Sequence, residues 1–325
     1  MKFFLNLSPF VKIRARYAYV LYCIKFQRNV ACRSPPAAAP VRPLSSASRL
    51  QLVRRHPKQT LIRAGDKNDP NIWGMSYNSA RDELFLADYN NDVVGAMRVR
   101  DNAGDLRDVY RAPHGSIYSV CHMSDSDTLL VCSVEDGPDG EKAKWLVGLS
   151  RNGSEWREAQ RVQTDVRGYI SCALSDSQVL IGESSSTYME LFRVESGPRI
   201  ARVNRIHVPE QYHWFSATCG SDTLVAMSYW NDKPVRVHRL RGDRLEELAR
   251  IQLKQPSLLL WLADRLLVED SNAVIELEVS DTRLERRREL IATSENIYVS
   301  RLCALNDELA IFDYKSKDIL HYSFA

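Results

Sequence analysis

Apolar residues in this chain come in runs of four or five, each closed by a polar residue and separated from the next by Asp, Ser, Asn and Gly clusters. Runs this short suit strands, because a helix needs ten or more residues of 3.6-residue periodicity to bury a face. The clearest runs are Leu84-Phe85-Leu86-Ala87-Asp88, Leu129-Leu130-Val131-Cys132-Ser133, Val179-Leu180-Ile181-Gly182-Glu183, Leu224-Val225-Ala226-Met227-Ser228, Leu266-Leu267-Val268-Glu269-Asp270 and Leu309-Ala310-Ile311-Phe312-Asp313. Their last residues, 88, 133, 183, 228, 270 and 313, lie 45, 50, 45, 42 and 43 positions apart. That period is the length of a four-stranded propeller blade.

In the first five units one strand precedes the run and two follow it. The last two are divided by turn chemistry: Asp101-Asn102-Ala103-Gly104-Asp105, Arg151-Asn152-Gly153-Ser154, Glu195-Ser196-Gly197-Pro198, Arg241-Gly242-Asp243 and Ser280-Asp281-Thr282. Gly and Asn supply the positive φ that tight hairpins require. The sixth unit stops after its third strand, residues 319–324, which would leave a sheet edge open. Leu61-Ile62-Arg63-Ala64 matches Val109-Tyr110-Arg111-Ala112, the fourth strand of the first unit, and is the expected closing strand. The pattern predicts an all-β fold, a six-bladed β-propeller over residues 51–325 closed by an N-terminal strand, with seven blades as the alternative count.

Charge divides the chain at the same place. Residues 1–65 hold 13 basic residues and no acidic one, while the rest hold 31 basic against 41 acidic, a net charge of −10. Residues 1–50 read as a basic leader with a Pro/Ala/Ser-rich linker at 34–48, either disordered or a targeting segment. Its longest apolar stretch, Tyr17 to Ile24, is far short of the roughly 20 residues of a spanning helix, so no transmembrane anchor is expected. The acid-free, Arg-rich composition matches a mitochondrial transit peptide, although Lys12, Arg14 and Arg16 fall two apart and off any one helical face. Cys121, Cys132, Cys172, Cys219 and Cys303 show no CxxC spacing and read as free thiols, which favours an intracellular, reducing location.

One unit carries a family pattern. Asn71-Ile72-Trp73-Gly74-Met75-Ser76 followed by Asp82-Glu83-Leu84-Phe85-Leu86-Ala87-Asp88-Tyr89-Asn90-Asn91-Asp92-Val93-Val94 resembles the NHL repeat. Tyr229-Trp230-Asn231-Asp232 is similar to the YWTD signature, once and after the second strand instead of on it. Residues 51–325 thus resemble the six-bladed group that contains NHL, YWTD and gluconolactonase-like propellers. The gluconolactonase-like resemblance implies a metal alternative in which Asp88, Glu183, Asp270 and Asp313, at one position in four blades, hold Ca²⁺ or Mg²⁺ in the central channel. No early Glu-Gly-Pro ligand motif follows the first strand, and an acid closing a strand also serves simply to accept hydrogen bonds from the adjoining turn.

Other chemistry leaves little trace. The P-loop, dinucleotide, zincin and serine-elbow patterns are absent from the sequence. Asn152-Gly153-Ser154 is a glycosylation sequon and Arg241-Gly242-Asp243 an adhesion tripeptide, but both fall on expected hairpin turns. Arg283, Arg286, Arg287 and Arg288 form a basic run that reads as a solvated outer strand, and nucleic acid is not the expected partner of an acidic body. Aromatic residues gather around the first strands: Trp73, Tyr77, Tyr118, Tyr169, Tyr212, Trp214, Phe215, Trp261 and Tyr298, most of them expected as inter-blade packing and several as the lining of a recognition surface. The expected function is a non-enzymatic scaffold, without cofactor, that binds a protein or peptide through loops on one face, with Tyr212, His213, Trp214, Phe215 and Trp230 as contact residues. The alternatives are the metal-dependent lactonase-like hydrolase and a secreted adhesion or receptor-like module. Oligomeric state leaves no signature.

Overall fold

A computed structural model describes residues 50–324, apart from short stretches at 64–65, 67, 101–105, 138–140, 176, 185, 196–198, 221, 230–232, 263–264, 281–282 and 293–294. The leader and Trp230 lie outside the described residues. The remainder forms six four-stranded antiparallel sheets, numbered here as blades I to VI from the one that begins at Ile72. Their inner strands are Ile72–Asn78, Gly115–Met123, Ile170–Ser175, Trp214–Cys219, Pro256–Leu262 and Val299–Leu305. Each inner strand contacts the next, and the sixth contacts the first, so the ring closes as a six-bladed propeller.

Burial explains why these strands read as continuous apolar runs. An inner or second strand is covered on both faces by neighbouring blades: every residue of Pro256–Leu262 and of Glu83–Asp88 is buried. The outer strands carry mixed charge, and no residue of Glu155–Gln163 is fully buried.

Closure occurs as expected, but through a different segment. The closing strand is Leu50–His56, antiparallel to Asp318–Phe324, with Leu50 opposite Phe324 and His56 opposite Ile319. Leu61 to Arg63 is not a strand, and Ala64 lies outside the described residues: Lys58–Leu61 makes a 3₁₀ turn, Leu61 plugs the seam between blades VI and I, and Arg63 enters blade I. The seven-residue strand pairs with residues 319–324 of its partner, a length that a four-residue segment cannot cover.

All six outer strands share a defence of their free edges. Each carries at least one extra, unpaired residue against its neighbour: Val53, Val109, Ala159, Val203, Leu248, and Leu290 with Arg287. Such bulges twist the strand and break the row of free backbone groups, and two or more arginines on each outer strand repel an added strand. The basic run belongs to this defence: Arg286, Arg287 and Arg288 pair with Glu289, Glu278 and Glu276. The sequon and the Arg-Gly-Asp triplet form hairpin tips, with φ of 64° at Gly153 and 63° at Gly242. The five cysteines among the described residues are unpaired, and of these only Cys219 is not buried.

Two histidines make the ring acid-sensitive. Burial, then Arg54 and His321, lower His56 to about 4, and burial lowers His238 to about 4. The unfolded chain therefore binds protons that the folded chain refuses between pH 6.5 and about 4. Stability is complete above pH 6.5 and falls across that window, by up to about 3 kcal/mol per group. Denaturant midpoints measured from pH 7 to 4 should fall, and the slope should flatten in a His56→Gln, His238→Gln protein; an unchanged slope would refute the assignment.

Candidate functional site

The lead-in loops to the inner strands and the loops after the second strands share one face, called the top face here. Four inner strands, in blades I, II, V and VI, are bulged at that end: the ladder skips Trp73, Tyr118, Ser257 with Leu258, and Ser300. A bulge re-aims the side chains around it. In blades I and II it brings Trp73 and Tyr118 together, with ring centroids 5.5 Å apart. Tyr89, from the loop after the second strand of blade I, stacks on Trp73 at 4.3 Å and 18°. Tyr169, on the loop into blade III, lies 4.5 Å from Tyr118 and 6.1 Å from Trp73. Burial, then Tyr169 and Tyr89, push the Tyr118 phenol up, so it stays a neutral hydroxyl.

Two arginines frame this cluster. Arg301, just past the bulge of blade VI, is 1% exposed; its Nε donates to the Trp73 carbonyl, and its guanidinium lies 5.6 Å from the Trp73 ring and 5.9 Å from Trp214. Blades I and IV stand opposite one another in the ring, so Arg301 bridges the channel and fixes Trp73 from below. Arg167 donates to the Tyr169 hydroxyl, pairs with Glu183 at 3.3 Å and keeps 44% of its side chain exposed. Tyr89 and Arg167 are the members of the cluster that solvent reaches.

The four acids named from the sequence stand at the same top face, each bonded to the lead-in loop of its own blade. Asp88 accepts from the Asn71 N–H at 3.0 Å, Asp270 from Gln255 at 2.6 Å, Asp313 from Tyr298 at 3.0 Å, and Glu183 from Arg167 at 3.1 Å. Each carboxylate ties the end of a second strand to the start of the first, the turn-accepting role weighed above. In blade I the cation for the carboxylate is built in, since Arg63 Nη2 lies 2.7 Å from Asp88 with both side chains buried. Among the described residues no three His, Cys, Asp or Glu side chains gather where a metal ion could be held.

The proposed contact residues are placed differently from the expectation. Tyr212, Trp214 and Phe215 have no exposed surface and His213 has 3%. They pack between blades instead of facing solvent. The Tyr212 hydroxyl accepts from the Glu183 N–H at 3.0 Å, in space left by the missing Cβ of Gly182. Phe215 lies against Tyr212, and Trp214 lies under Arg301. Sequence reasoning named Trp73, Tyr118 and Tyr169 among the first-strand aromatics but gave no role to Tyr89, Arg167 or Arg301. The bulges that assemble them have no residue signature.

Similarity to known proteins is structural. The PQQ-bound aldose sugar dehydrogenase of Streptomyces coelicolor superposes with a TM-score of 0.59 at 8% identity, covering 86% of this chain and 99% of that one. Virginiamycin B lyase of Staphylococcus aureus gives a TM-score of 0.50 at 10% identity, covering 85% and 100%. A chain of the mitotic checkpoint complex gives 0.56 at 13% identity, covering 90% and 96%. No family model and no curated protein matches the sequence. These likenesses share the propeller fold and extend to both enzymes and a member of a protein assembly, so the site has to argue function. No helix among the described residues is long and apolar enough to cross a membrane.

Proposed function

We propose that this propeller is a recognition scaffold that binds a protein or peptide partner at its top face. The observation that carries this reading is the Trp73–Tyr89–Tyr118–Tyr169 cluster, rigidly held from below by Arg301 and open to solvent at Tyr89 and Arg167. Buried aromatic groups with a half-buried ring and an exposed arginine at their margin are the composition of an interface anchor. The carboxylates that a lactonase-like metal site would need are bonded to backbone N–H groups instead. We place the first blade with the NHL pattern within the six-bladed group, a placement that suits a recognition role.

Selection of random twelve-residue peptides on the immobilised protein tests this reading. Recovered peptides should lose about fivefold or more in affinity with Tyr89→Ala and with Arg167→Glu. They should be indifferent to Arg157→Glu on the outer strand of blade II. Peptides equally indifferent to all three substitutions, or no peptides at all, would remove the proposal.

A further inference from the structure

The loop after the second strand of blade VI repeats that of blade I with its charge reversed. Asp88-Tyr89-Asn90-Asn91-Asp92 corresponds to Asp313-Tyr314-Lys315-Ser316-Lys317, because Asp88 faces Val93 and Asp313 faces Asp318 in the same register. The last residue of each loop has left-handed backbone, φ 53° at Asp92 and 62° at Lys317. Asp tolerates that conformation, whereas a long side chain such as Lys rarely occupies it. In blade VI the conformation sets the Lys317 amine 3.3 Å from the centre of the Tyr314 ring. Lys315 lies 5.8 Å from the ring of Tyr298, which is 47% exposed.

These lysines differ from others on the top face. Lys58, Lys144 and Lys233 are paired with Asp69, Glu183 and Glu210. Among the described residues neither Lys315 nor Lys317 forms an ion pair; the Lys315 amine donates to the Asn296 side chain, at 3.3 Å. The nearby carboxylates are engaged elsewhere: Asp313 accepts from Tyr298 N, Lys315 N and the Ser316 hydroxyl, and Asp318 pairs with Arg55. The result is two ammonium groups on two tyrosine rings, neither with an ion-pair partner among the described residues, in the blade adjoining blade I.

We propose that this blade VI patch, Tyr298, Tyr314, Lys315 and Lys317, is the docking site for an acidic peptide segment with apolar residues between its carboxylates. The inference rests on the recognition reading above and names the chemistry of the partner. The ammonium groups meet the carboxylates while the exposed Tyr298 ring meets the apolar side chains. A nucleic acid is a poorer fit, because its long polyanion would also lie against a body of net charge −10. Burial holds Lys317 near 8, with Lys58 adding to the effect against the opposing pull of Asp69, Asp313 and Asp88. A carboxylate brought beside it restores the charged form, so binding takes up a proton and weakens as pH rises past 8.

The test is a panel of three fluorescent twelve-residue peptides of one length, with Glu/Asp, Gln/Ser or Lys/Arg alternating with Leu and Phe, together with a labelled single-stranded oligonucleotide. The acidic peptide should bind best, lose about tenfold with Lys315→Gln, Lys317→Gln, and weaken with added salt. Its affinity should also fall between pH 7 and 9 in the wild type, with a smaller fall in Lys317→Gln. If the neutral peptide binds as well and ignores both substitutions, this inference fails and the recognition reading stands. Oligonucleotide binding as tight as that of the acidic peptide also overturns it. If no peptide binds, this inference fails, and the recognition reading is decided separately by the random-peptide selection.

Discussion

Replacing Arg63 with methionine is expected to lower the stability of the ring by about 3–5 kcal/mol, the range for breaking a buried pair by removing one partner. Arg63 is 4% exposed in its side chain; its Nη2 lies 2.7 Å from Asp88, and its Nε lies 3.3 Å from Asp66 and 3.4 Å from Asp108. Methionine keeps much of the apolar volume and removes the charge, which leaves Asp88 and Asp66 buried without their cation. Blade I is shaped around this guanidinium, since a Cβ on Gly95 would stand 2.8 Å from Nη1 and 2.7 Å from Leu106. Urea denaturation of Arg63→Met, Asp88→Asn and the double variant separates the pair from packing. The double variant should recover part of the loss, because the amide carbonyl introduced by Asp88→Asn can still accept from the Asn71 N–H while no charge is left unpaired at that position. Strict additivity of the two single losses would show that the ion pair contributes nothing of its own.

Arg63 also shows where sequence reading reaches and where it stops. The second strands were legible because burial on both faces makes them uniformly apolar, and their 42 to 50-residue spacing gave the blade count. The closing of the ring was legible from the missing outer strand of the sixth unit, but the segment that closes it was not. Leu61 to Ala64 looks like an outer strand because outer strands here mix arginine with apolar residues. Only the three-dimensional ring shows that Leu61 is needed in the seam and Arg63 beside Asp88. Likewise Tyr212 to Phe215 looked like a surface cluster because aromatic residues serve both interfaces and blade packing, and only burial separates the two uses. The position shared by Asp88, Glu183, Asp270 and Asp313 was visible. Its partners were not, since a backbone N–H in the next loop carries no mark in the sequence. Lys317 was within reach, because aligning the blade VI loop on that of blade I exposes the exchange of Asp92 for a lysine.

Removing the closing strand should have the largest effect of all. A chain that starts at Pro57 lacks Leu50–His56, whose register pairs six residues with Asp318–Phe324. At about 0.5–1.5 kcal/mol net for each ladder hydrogen bond, the loss takes most of the 5–15 kcal/mol that stabilises a domain of ordinary size. A further loss falls on Asp318, which is 4% exposed and held by the Arg55 Nε at 2.6 Å and by the Lys58 N–H, retained in this chain, at 2.7 Å. Without Arg55 that carboxylate keeps only part of its compensation, and the third strand of blade VI becomes a bare edge open to intermolecular pairing. Guanidinium unfolding of this chain against one that starts at Ser45 should show a much lower midpoint and a shallower, less cooperative transition. A synthetic peptide of residues 50–57, added in excess, should raise the midpoint in proportion to the logarithm of its concentration, because it binds only the folded ring. If both chains unfold at the same midpoint, Leu50–His56 does not close the ring and the seam is held by Leu61 and Arg63 alone.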